Sequence, residues 1–308
     1  MKKKVTVFGS FVVDLMARTP HLPAPAETVK GSFFRQGAGG KGFNQGIAAH
    51  KAGGNVVMIT KLGTDSMGKV ATDTMDDVGL SKKHLFYNPR VATGVALILV
   101  DEDIGQNEIV IVPGACATVT DEDIAKVADE IKTSEYLLVQ LEVNQDANEK
   151  VVRLAKEAGV RVIINTAPYQ PMSDDFLRGA YLVTPNEVEA EELTGIAVND
   201  LESADRAAEV FFGKGVENVL ITLGSRGVYL NADGRSQIIP AYRVDAVDTT
   251  GAGDAFNGGL LTALSEGKTL LEAARFAQAL AALSVQRMGA TPSMPTRAEI
   301  DAFSAEHT

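Results

Sequence analysis

Short apolar runs alternate with helical patterns along most of the chain, and this alternation restricts the fold more than any other feature of the sequence. The apolar runs have the length of strands and cover residues 5–8, 55–60, 136–141, 160–165, 181–184 and 218–222. Helical patterns lie between and after them, at 44–52, 67–78, 121–131, 145–158, 185–193, 203–212, 255–264 and 270–285. Repeated strand–helix units of this length predict an α/β fold with a mainly parallel sheet and helices on both faces.

The alternation breaks between residues 87 and 113. Residues 93–100 and 108–112 are β-like and are separated by an acidic turn, a pattern typical of a hairpin. An earlier β-like segment at 28–34 is a candidate to pair with this hairpin. A hairpin inserted into a strand–helix alternation is a candidate lid over a binding site.

No internal repeat and no long linker interrupts the sequence. Although 308 residues would allow two domains by length alone, α/β folds of this size often form one. We therefore expect a single domain over residues 1–308, with a small β lid formed by about 12–36 and 91–113.

The run VDTTGAGDAFNGG, residues 247–259, combines glycines and two acids with the start of a helical pattern. We interpret residues 251–253 as a turn and Asp254 as the beginning of the helix. Free N–H groups at a helix start, with the positive end of the helix dipole behind them, bind anions such as phosphate. Because a carboxylate repels phosphate, Asp254 is better suited to accept a proton. The run indicates phosphoryl transfer; the simpler alternative is that Asp254 only stabilises the helix start.

Polar residues lie at or just beyond the carboxyl ends of several predicted strands, where open α/β sheets bind their ligands. They are Asp14, Glu142, Asn186, Thr222 and Asp254. Taken singly, each has a simpler explanation, such as a helix cap at Asn186 or surface exposure at Glu142. Together, five polar groups on one edge of a sheet predict a binding crevice.

The composition argues against several other functions. A formal net charge of −11 opposes nucleic acid or an anionic membrane as the main partner. Cys116 is the only cysteine, which excludes an intrachain disulfide and a cysteine-based zinc site, and the four histidines lack ligand spacing. The basic start at 1–4 precedes an apolar run of only four residues, so we expect a first strand rather than a signal peptide, and a cytoplasmic protein.

Two glycine-rich segments resemble the signatures of the ribokinase-like (PfkB) carbohydrate kinases. They are Gly39-Gly40-Lys41-Gly42-x-Asn44-Gln45 and Asp248-Thr249-x-Gly251-Ala252-Gly253-Asp254-x-Phe256-x-Gly258. Further similarity lies in Leu193-Thr194-Gly195, in 219–227 and in Gly289-Ala290-x-Pro292-Ser293, so the resemblance covers nearly the whole chain. It implies transfer of the γ-phosphate of ATP, with Mg²⁺ and K⁺ as assisting ions, to the primary hydroxyl of a sugar held under the lid.

The resemblance also implies a role for each matching residue. Asp254 is the general base, and the backbone of Gly251, Ala252 and Gly253 forms the anion hole. The positions that contact sugar are Val12, Asp14, Gly40, Lys41, Gly42, Asn44, Glu142 and Asp254. The positions that contact nucleotide are Asn186, Thr222, Gly224, Ser225, Arg226, Gly227 and Gln278. Glu189 matches an acidic motif linked indirectly to magnesium, and the monovalent-cation loop matches Asp248, Thr250, Ser284, Arg287, Gly289 and Ser293.

Two residues depart from the pattern of the ribose-specific members. Val12 stands where they usually carry an asparagine, and Phe43 replaces a commonly small residue. The loss of an amide removes a polar contact, which discriminates strongly between hydroxylated and deoxygenated substrates. D-ribose, converted to ribose 5-phosphate, remains the first expectation; 2-deoxyribose, another pentose, a ketohexose or a nucleoside are the alternatives.

Two further expectations concern activity and assembly. A non-catalytic sugar or nucleotide sensor on the same fold is the alternative from another functional class, and the intact Asp254 with its anion turn argues against it. The predicted lid has exposed strand edges, and such edges invite pairing with a second copy of the chain. We therefore expect a homodimer formed through the lid.

Overall fold

The structure is a computed structural model that describes residues 2–307. Met1, part of the basic start, and Thr308, the end of the predicted domain, lie outside the described residues. The strands within this range are β1 (Lys4–Phe8), β2 (Val12–Thr19), β3 (Phe33–Gly39), β4 (Asn55–Gly63), β5 (Leu85–Asn88), β6 (Thr93–Asp101), β7 (Asn107–Gly114), β8 (Tyr136–Val139), β9 (Arg161–Ile164), β10 (Leu182–Val183), β11 (Val219–Thr222), β12 (Val228–Ala232) and β13 (Arg235–Ile239). The α-helices are α1 (Lys41–Lys51), α2 (Ser66–Val78), α3 (Asp121–Lys132), α4 (Gln145–Glu157), α5 (Asp174–Leu177), α6 (Glu187–Thr194), α7 (Leu201–Gly213), α8 (Ala252–Ser265), α9 (Leu270–Ser284) and α10 (Arg297–Glu306).

The larger sheet has its strands in the order β13-β12-β11-β10-β9-β8-β1-β4-β5. From β5 to β11 neighbouring strands are parallel, and β12 and β13 add an antiparallel edge. The strand register places the carboxyl ends of β1 and its two neighbours at the same height in the sheet, since Phe8 pairs with both Ile59 and Val139. The segments that follow β1, β8, β10 and β11 therefore leave from one edge of the sheet. The predicted α/β fold with a mainly parallel sheet is confirmed.

Helix α8 is fixed in the core by two small residues. A Cβ added at Gly258 would lie 2.5 Å from Cβ of Ala48 on α1, and one added at Gly259 would lie 3.0 Å from Cα of Ala277 on α9. Glycines at these positions allow the three helices to approach closely. This packing determines where the first turn of α8, with Asp254, meets the edge of the sheet.

The smaller sheet has the order β3-β2-β6-β7, and it confirms that a separate small sheet accompanies the main one. Strand β2 runs parallel to β6 and antiparallel to β3, while β6 and β7 form the predicted hairpin. Strand β7 lies at the sheet edge, and seven of its eight residues are exposed.

The prediction of a β segment at 28–34 that pairs with the hairpin is wrong in position. Strand β3 runs over Phe33–Gly39, and the strand next to the hairpin is β2, for which no strand was predicted. Gly39, at the end of β3, provides space for Asp14, because a Cβ there would lie 2.2 Å from Oδ1 of Asp14.

The start of α8 also differs from the expectation. The helix begins at Ala252 with Gly251 as its N-cap, so Ala252 and Gly253 belong to the first helical turn rather than to a preceding turn. Besides β2, three of the numbered strands and helices carried no predicted counterpart: β5, α5 and α10. Of these, α10 has a clear start signal, because Thr296 and Glu299 form a capping box.

Candidate active site

Asp254 lies in the first turn of α8 and is 7% exposed. Nδ2 of Asn44 donates to its Oδ2 at 3.0 Å, and Nε2 of Gln45 donates to its Oδ1 at 2.9 Å. Burial raises the pKa of Asp254, although Lys41 and the two amide donors oppose this effect. A carboxylate held through both oxygens, with a raised pKa, is well suited to accept a proton from a hydroxyl group.

Lys41 is the cation among the carboxylates of the site. It is the first residue of α1, which follows Gly40 at a φ of 90°, and a Cβ at Gly40 would lie 2.9 Å from backbone atoms of the segment after β1. Burial lowers the pKa of Lys41, but the charges of Asp254, Glu142 and Glu189 outweigh burial, so the pKa is raised. The ammonium group therefore stays charged beside these carboxylates.

Glu142 lies just beyond the carboxyl end of β8 and is held from two directions. The hydroxyl of Ser10 donates to its Oε2 at 2.5 Å, and the backbone N–H of Lys41 donates to the same oxygen at 2.8 Å. Ser10 follows β1, the neighbour of β8 in the sheet. The predicted sugar-contact residue Glu142 thus has a positioning partner, Ser10, that the sequence analysis did not assign.

Asp14 lies on β2 of the smaller sheet. Among residues 2–307 its carboxylate accepts no hydrogen bond. Burial and the charge of Glu142 raise the pKa of Asp14 to about 6, against the opposing charge of Arg35. A shielded carboxylate without donors is unfavourable until a ligand supplies them, and sugar hydroxyls are suitable donors.

Arg35 brings a positive charge from β3 to this region. Its partner across the strands is Met16, two residues from Asp14 on the same face of the sheet. A Cβ at Gly289 would lie 2.9 Å from Nη2 of Arg35, so the guanidinium reaches the loop that follows α9. Its charge acts on both Asp14 and Asp248. Arg35 could not be predicted from the sequence, because a single arginine after a β-like segment matches no motif.

The start of α8 presents free backbone donors. Gly251 has a φ of 76°, and a Cβ there would lie 2.8 Å from Cβ of Ala290. The N–H of Ala252 donates to a backbone carbonyl three residues earlier at 3.1 Å. The N–H groups of Gly251, Gly253 and Asp254 donate to no acceptor in the described part of the chain. Within residues 2–307, the donors available to an anion at this helix start are therefore the N–H groups of Gly251, Gly253 and Asp254 rather than that of Ala252.

A cavity of about 320 Å³ opens beside the first turn of α8. Five predicted nucleotide residues line it: Thr222, Gly224, Ser225, Gly227 and Gln278. Ala252 and Gly253 line it as well, so the cavity leads directly to the anion turn. Much of its wall is apolar and comes from residues that the sequence analysis did not assign, among them Val228, Tyr242, Val244, Phe256, Ala281 and Val285.

A larger cavity of about 1090 Å³ lies at the amino ends of β8 and β9. Its lining includes Lys3, Glu135 and Arg161, and Glu135 is paired with both of these cations. None of the predicted site residues lines this cavity. The smaller cavity is therefore the one that belongs to the predicted site.

Asn186 and Glu189 form a capping box at the start of α6. The carboxylate of Glu189 accepts hydrogen bonds from Asn186 and from the hydroxyl of Thr166, the latter at 3.0 Å. Arg226 donates to Glu187 and to backbone carbonyls of the loop between α6 and α7, and it does not line the cavity. The side chains of Asn186 and Arg226 are thus engaged with the protein in this structure.

Within the predicted cation loop, Asp248 contacts Thr250 and Gly289, and Arg287 contacts α10. Asp248 accepts hydrogen bonds from the backbone N–H groups of Gly289 at 2.7 Å and Thr250 at 2.9 Å, and these bonds lower its pKa although burial opposes them. Arg287 is paired with Glu299 at 2.5 Å. The hydroxyls of Ser284 and Ser293 each donate to a nearby backbone carbonyl.

The two residues that depart from the family pattern have different environments. Phe43 is fully buried and packs edge-to-face against Phe11, with ring centroids 4.8 Å apart. Val12 is 3% exposed and pairs with Gly39 and Gly94 on the strands that flank β2. Phe43 thus belongs to the core, whereas Val12 lies two residues from Asp14 on the same face of the smaller sheet.

Similarity to known proteins shows the family of the chain. Residues 2–297 match the pfkB family of carbohydrate kinases. The chain belongs to this family. This result confirms the family resemblance and the prediction of a carbohydrate kinase, both of which rested on the two glycine-rich signatures.

The kinase is similar to named relatives over nearly its whole length. It is 42% identical to a ribokinase of Haemophilus influenzae over 97% of each chain, and 32% identical to a deoxyribokinase of Salmonella typhi over 95% of each chain. Among solved structures, the Arabidopsis thaliana ribokinase complexed with ribose and ATP matches with a TM-score of 0.91 at 32% identity, over 98% of this chain and 99% of that one. No helix within residues 2–307 is long and apolar enough to span a membrane.

Proposed function

We propose that the chain is an ATP-dependent kinase that phosphorylates the primary hydroxyl of D-ribose and forms ribose 5-phosphate. The observation that carries this proposal is the position of Asp254, a buried carboxylate held by two amides directly beside free backbone N–H groups. The relatives named ribokinase, and the similarity to a ribokinase complexed with ribose and ATP, support D-ribose as the first substrate to test.

The reaction follows from the geometry of the first turn of α8. The sugar oxygen attacks the γ-phosphorus, its proton passes to Asp254, and the electron pair of the breaking P–O bond goes to the oxygen that leaves on ADP. The free N–H groups of Gly253 and Asp254, with Lys41 nearby, stabilise negative charge on the transferred group. General base assistance of this kind contributes about 10²- to 10⁴-fold in rate.

The sugar lies, in this proposal, between the lid and the edge of the main sheet. Asp14 on β2 accepts hydrogen bonds from the sugar hydroxyls, and Glu142, which Ser10 holds in place, acts on the same group of charges from the edge of the main sheet. The nucleotide occupies the 320 Å³ cavity, with its base against the apolar wall and its phosphates toward Gly253. Thr222, Gly224, Ser225, Gly227 and Gln278 are the proposed nucleotide contacts, while Asn186 and Arg226 reach it only if they leave their present partners.

Two ions are part of the proposal. Mg²⁺, when bound, neutralises phosphate charge. Glu189 fits an indirect role in holding Mg²⁺, because its carboxylate already accepts hydrogen bonds from Thr166 and Asn186. The chemistry of the loop around Asp248 fits K⁺, because Asp248 carries a carboxylate with a lowered pKa and Ser284 and Ser293 carry hydroxyls, and hard cations take oxygen ligands. The side chain of Arg287 is paired with Glu299, so only its backbone is available to this loop.

A substrate panel tests the function. ATP consumption is measured with D-ribose, 2-deoxy-D-ribose, a ketohexose and a nucleoside, each with and without K⁺. We expect the highest kcat/KM with D-ribose and stimulation by K⁺. Absence of turnover with every acceptor, despite thermal shifts on sugar binding, would contradict the kinase and favour a sensor.

One observation favours 2-deoxyribose as the second candidate. Val12 places an apolar side chain two residues from Asp14 on the same face of β2, where it offers no hydrogen bond to a sugar hydroxyl. A site without that contact discriminates weakly against a deoxygenated sugar. The relative named deoxyribokinase is consistent with this alternative. A kcat/KM for 2-deoxy-D-ribose above that for D-ribose would establish it.

We also propose that residues 1–308 act as one unit in the cytoplasm and assemble as a homodimer through the lid. Strand β7 is an edge strand on which four consecutive apolar residues, Ile109, Val110, Ile111 and Val112, are 43–59% exposed. A long apolar edge strand invites a partner. Val110→Glu is expected to convert a dimer into a monomer in light-scattering measurements, and a monomeric unaltered chain would contradict the proposal.

A further inference from the structure

Gln45 is buried completely and contacts Asp254 directly. It has no exposed surface through which it would touch a sugar or a nucleotide. Its Nε2 donates to Oδ1 of Asp254 at 2.9 Å, while the neighbouring residue Asn44 serves Oδ2. Each oxygen of the carboxylate therefore has its own amide donor, and the lone pairs left for a hydroxyl proton have a defined direction.

Interior contacts fix the direction of the Gln45 amide. Its Nε2 also donates to Oδ1 of Asn165 at 3.0 Å, and its Oε1 accepts from Nε2 of Gln140 at 2.6 Å. A flipped amide would place Oε1 against two acceptors and Nε2 against a donor. The correct orientation toward Asp254 is therefore set by the protein before any ligand binds.

The chain of amides ends on backbone groups of the main sheet. Asn165 follows β9 and donates from Nδ2 to the carbonyl of Thr184 at 3.0 Å. The backbone carbonyl of Gln140 accepts from Nδ2 of Asn148 on α4 at 2.7 Å. Both Gln140 and Asn165 are buried. The carboxylate on α8 is thus connected through Gln45 on α1 to the ends of β8 and β9.

We propose that Gln45 is a positioning residue, which holds the carboxylate of Asp254 in the orientation that receives the hydroxyl proton. This inference rests on the proposed kinase function. It predicts that loss of the Gln45 amide lowers kcat while sugar and nucleotide affinity stay nearly unchanged, because Gln45 touches neither ligand.

The pH dependence distinguishes positioning from a merely structural role. The charged groups that act on Asp254 are Lys41 at the start of α1 and Glu142 after β8, and Asp14 on β2 is coupled to it. Gln45 is among the donors that lower the pKa of Asp254. Its removal is therefore expected to move the acidic limb of the kcat profile to higher pH.

The first test compares Gln45→Met with Asn218→Leu. Asn218 is a matched control, since it is also a buried amide, 7% exposed, and donates to a backbone carbonyl at 2.9 Å, but it lies at the amino end of β11. With D-ribose and ATP, Gln45→Met is expected to lose about 10- to 100-fold in kcat, with a KM for D-ribose within about 3-fold of the unaltered enzyme. Asn218→Leu is expected to lose thermal stability only.

A second variant keeps the inference testable where Gln45→Met folds poorly. Gln45→Glu retains the acceptor for Gln140 but places a second carboxyl group against Asp254, and two facing carboxyl groups raise their shared pKa. The acidic limb is expected to move up by about one pH unit or more. Unchanged kcat and an unchanged pH profile in both variants would overturn the inference. An unaltered enzyme that turns over no sugar would overturn the proposed function together with it.

Discussion

Asp254 and Asp14 are both shielded carboxylates with raised pKa values, yet their surroundings differ in kind. Asp254 lies in the core and accepts hydrogen bonds from two buried amides, whereas Asp14 lies on the smaller sheet and accepts none among residues 2–307. A group that takes part in bond breaking benefits from fixed geometry. A group that binds hydroxyls must leave its lone pairs open. The difference between them separates the catalytic role from the binding role.

The largest effect is expected from Asp254→Asn. An amide at this position keeps the shape but cannot accept the hydroxyl proton, so kcat is expected to fall by about 10³-fold or more. Steady-state turnover of D-ribose and ATP measures this loss. Turnover within about tenfold of the unaltered enzyme would refute Asp254 as the base.

Asp14→Asn is expected to act on binding. The carboxamide offers one acceptor oxygen instead of two charged ones, and hydrogen bonds to a charged group are worth about 1.5–3 kcal/mol. The KM for D-ribose is expected to rise about 10- to 100-fold while the KM for ATP stays unchanged. A larger effect on ATP than on sugar would contradict the assignment.

The affinity for sugar is expected to depend on pH near the pKa of Asp14. Because burial and Glu142 raise that pKa to about 6, the carboxylate is ionised above pH 6 and becomes protonated below it. The KM for D-ribose should rise by up to about tenfold per pH unit below this value. Asp14→Asn removes the titrating group, and persistence of the same pH dependence in that variant would exclude Asp14 as its source.

Arg35→Gln should shift the midpoint of the pH dependence of the KM for D-ribose by a small amount. The charge of Arg35 opposes the rise in the pKa of Asp14, so its removal raises that pKa further. The midpoint of the pH dependence is expected to shift upward, and the KM for D-ribose at pH 6.5 to rise about 2- to 5-fold. Arg35→Lys, which keeps the charge, is the control and should retain most of the original midpoint.

The stability of the free protein is also expected to depend on Asp14. The pKa of Asp14 is raised from 3.8 in its reference state to about 6, so ionisation of this group destabilises the fold as pH rises through that window. At pH 7.5, Asp14→Asn should therefore raise the melting temperature by a few degrees, which corresponds to at most about 3 kcal/mol. The gain should vanish below pH 4; an equal gain at every pH would assign it to another cause.

The parts of the site that the sequence predicted are those that depend on local pattern. Asp254 and the glycines before it signal a helix start within one short run, and strand ends such as that of Glu142 follow from apolar periodicity. The amide chain through Gln45, Gln140 and Asn165 joins residues more than 90 positions apart, which no local pattern reveals. It becomes visible only when the register of the sheet brings these strand ends together.

The smaller sheet was predicted less accurately for a physical reason. Strand β2 follows β1 after only three residues, and the sequence predicted a strand over 5–8 but none over β2. Gly39 leaves space for the carboxylate of Asp14, which is distant in sequence, so no local pattern reveals this contact. Arg35 was not predicted for the same reason. Its role depends on its contact with the loop at Gly289, which is distant in sequence.

Calorimetric titration of D-ribose into Asp254→Asn and Asp14→Asn tests the division of roles most directly. Both variants are first shown to be folded, and the unaltered enzyme is titrated under the same conditions, without ATP. The structure predicts that Asp254→Asn binds D-ribose within about tenfold of the unaltered Kd, whereas Asp14→Asn binds it at least about tenfold more weakly than the unaltered enzyme does. Strong binding by Asp14→Asn together with lost binding by Asp254→Asn would contradict the assignment of binding to Asp14 and catalysis to Asp254.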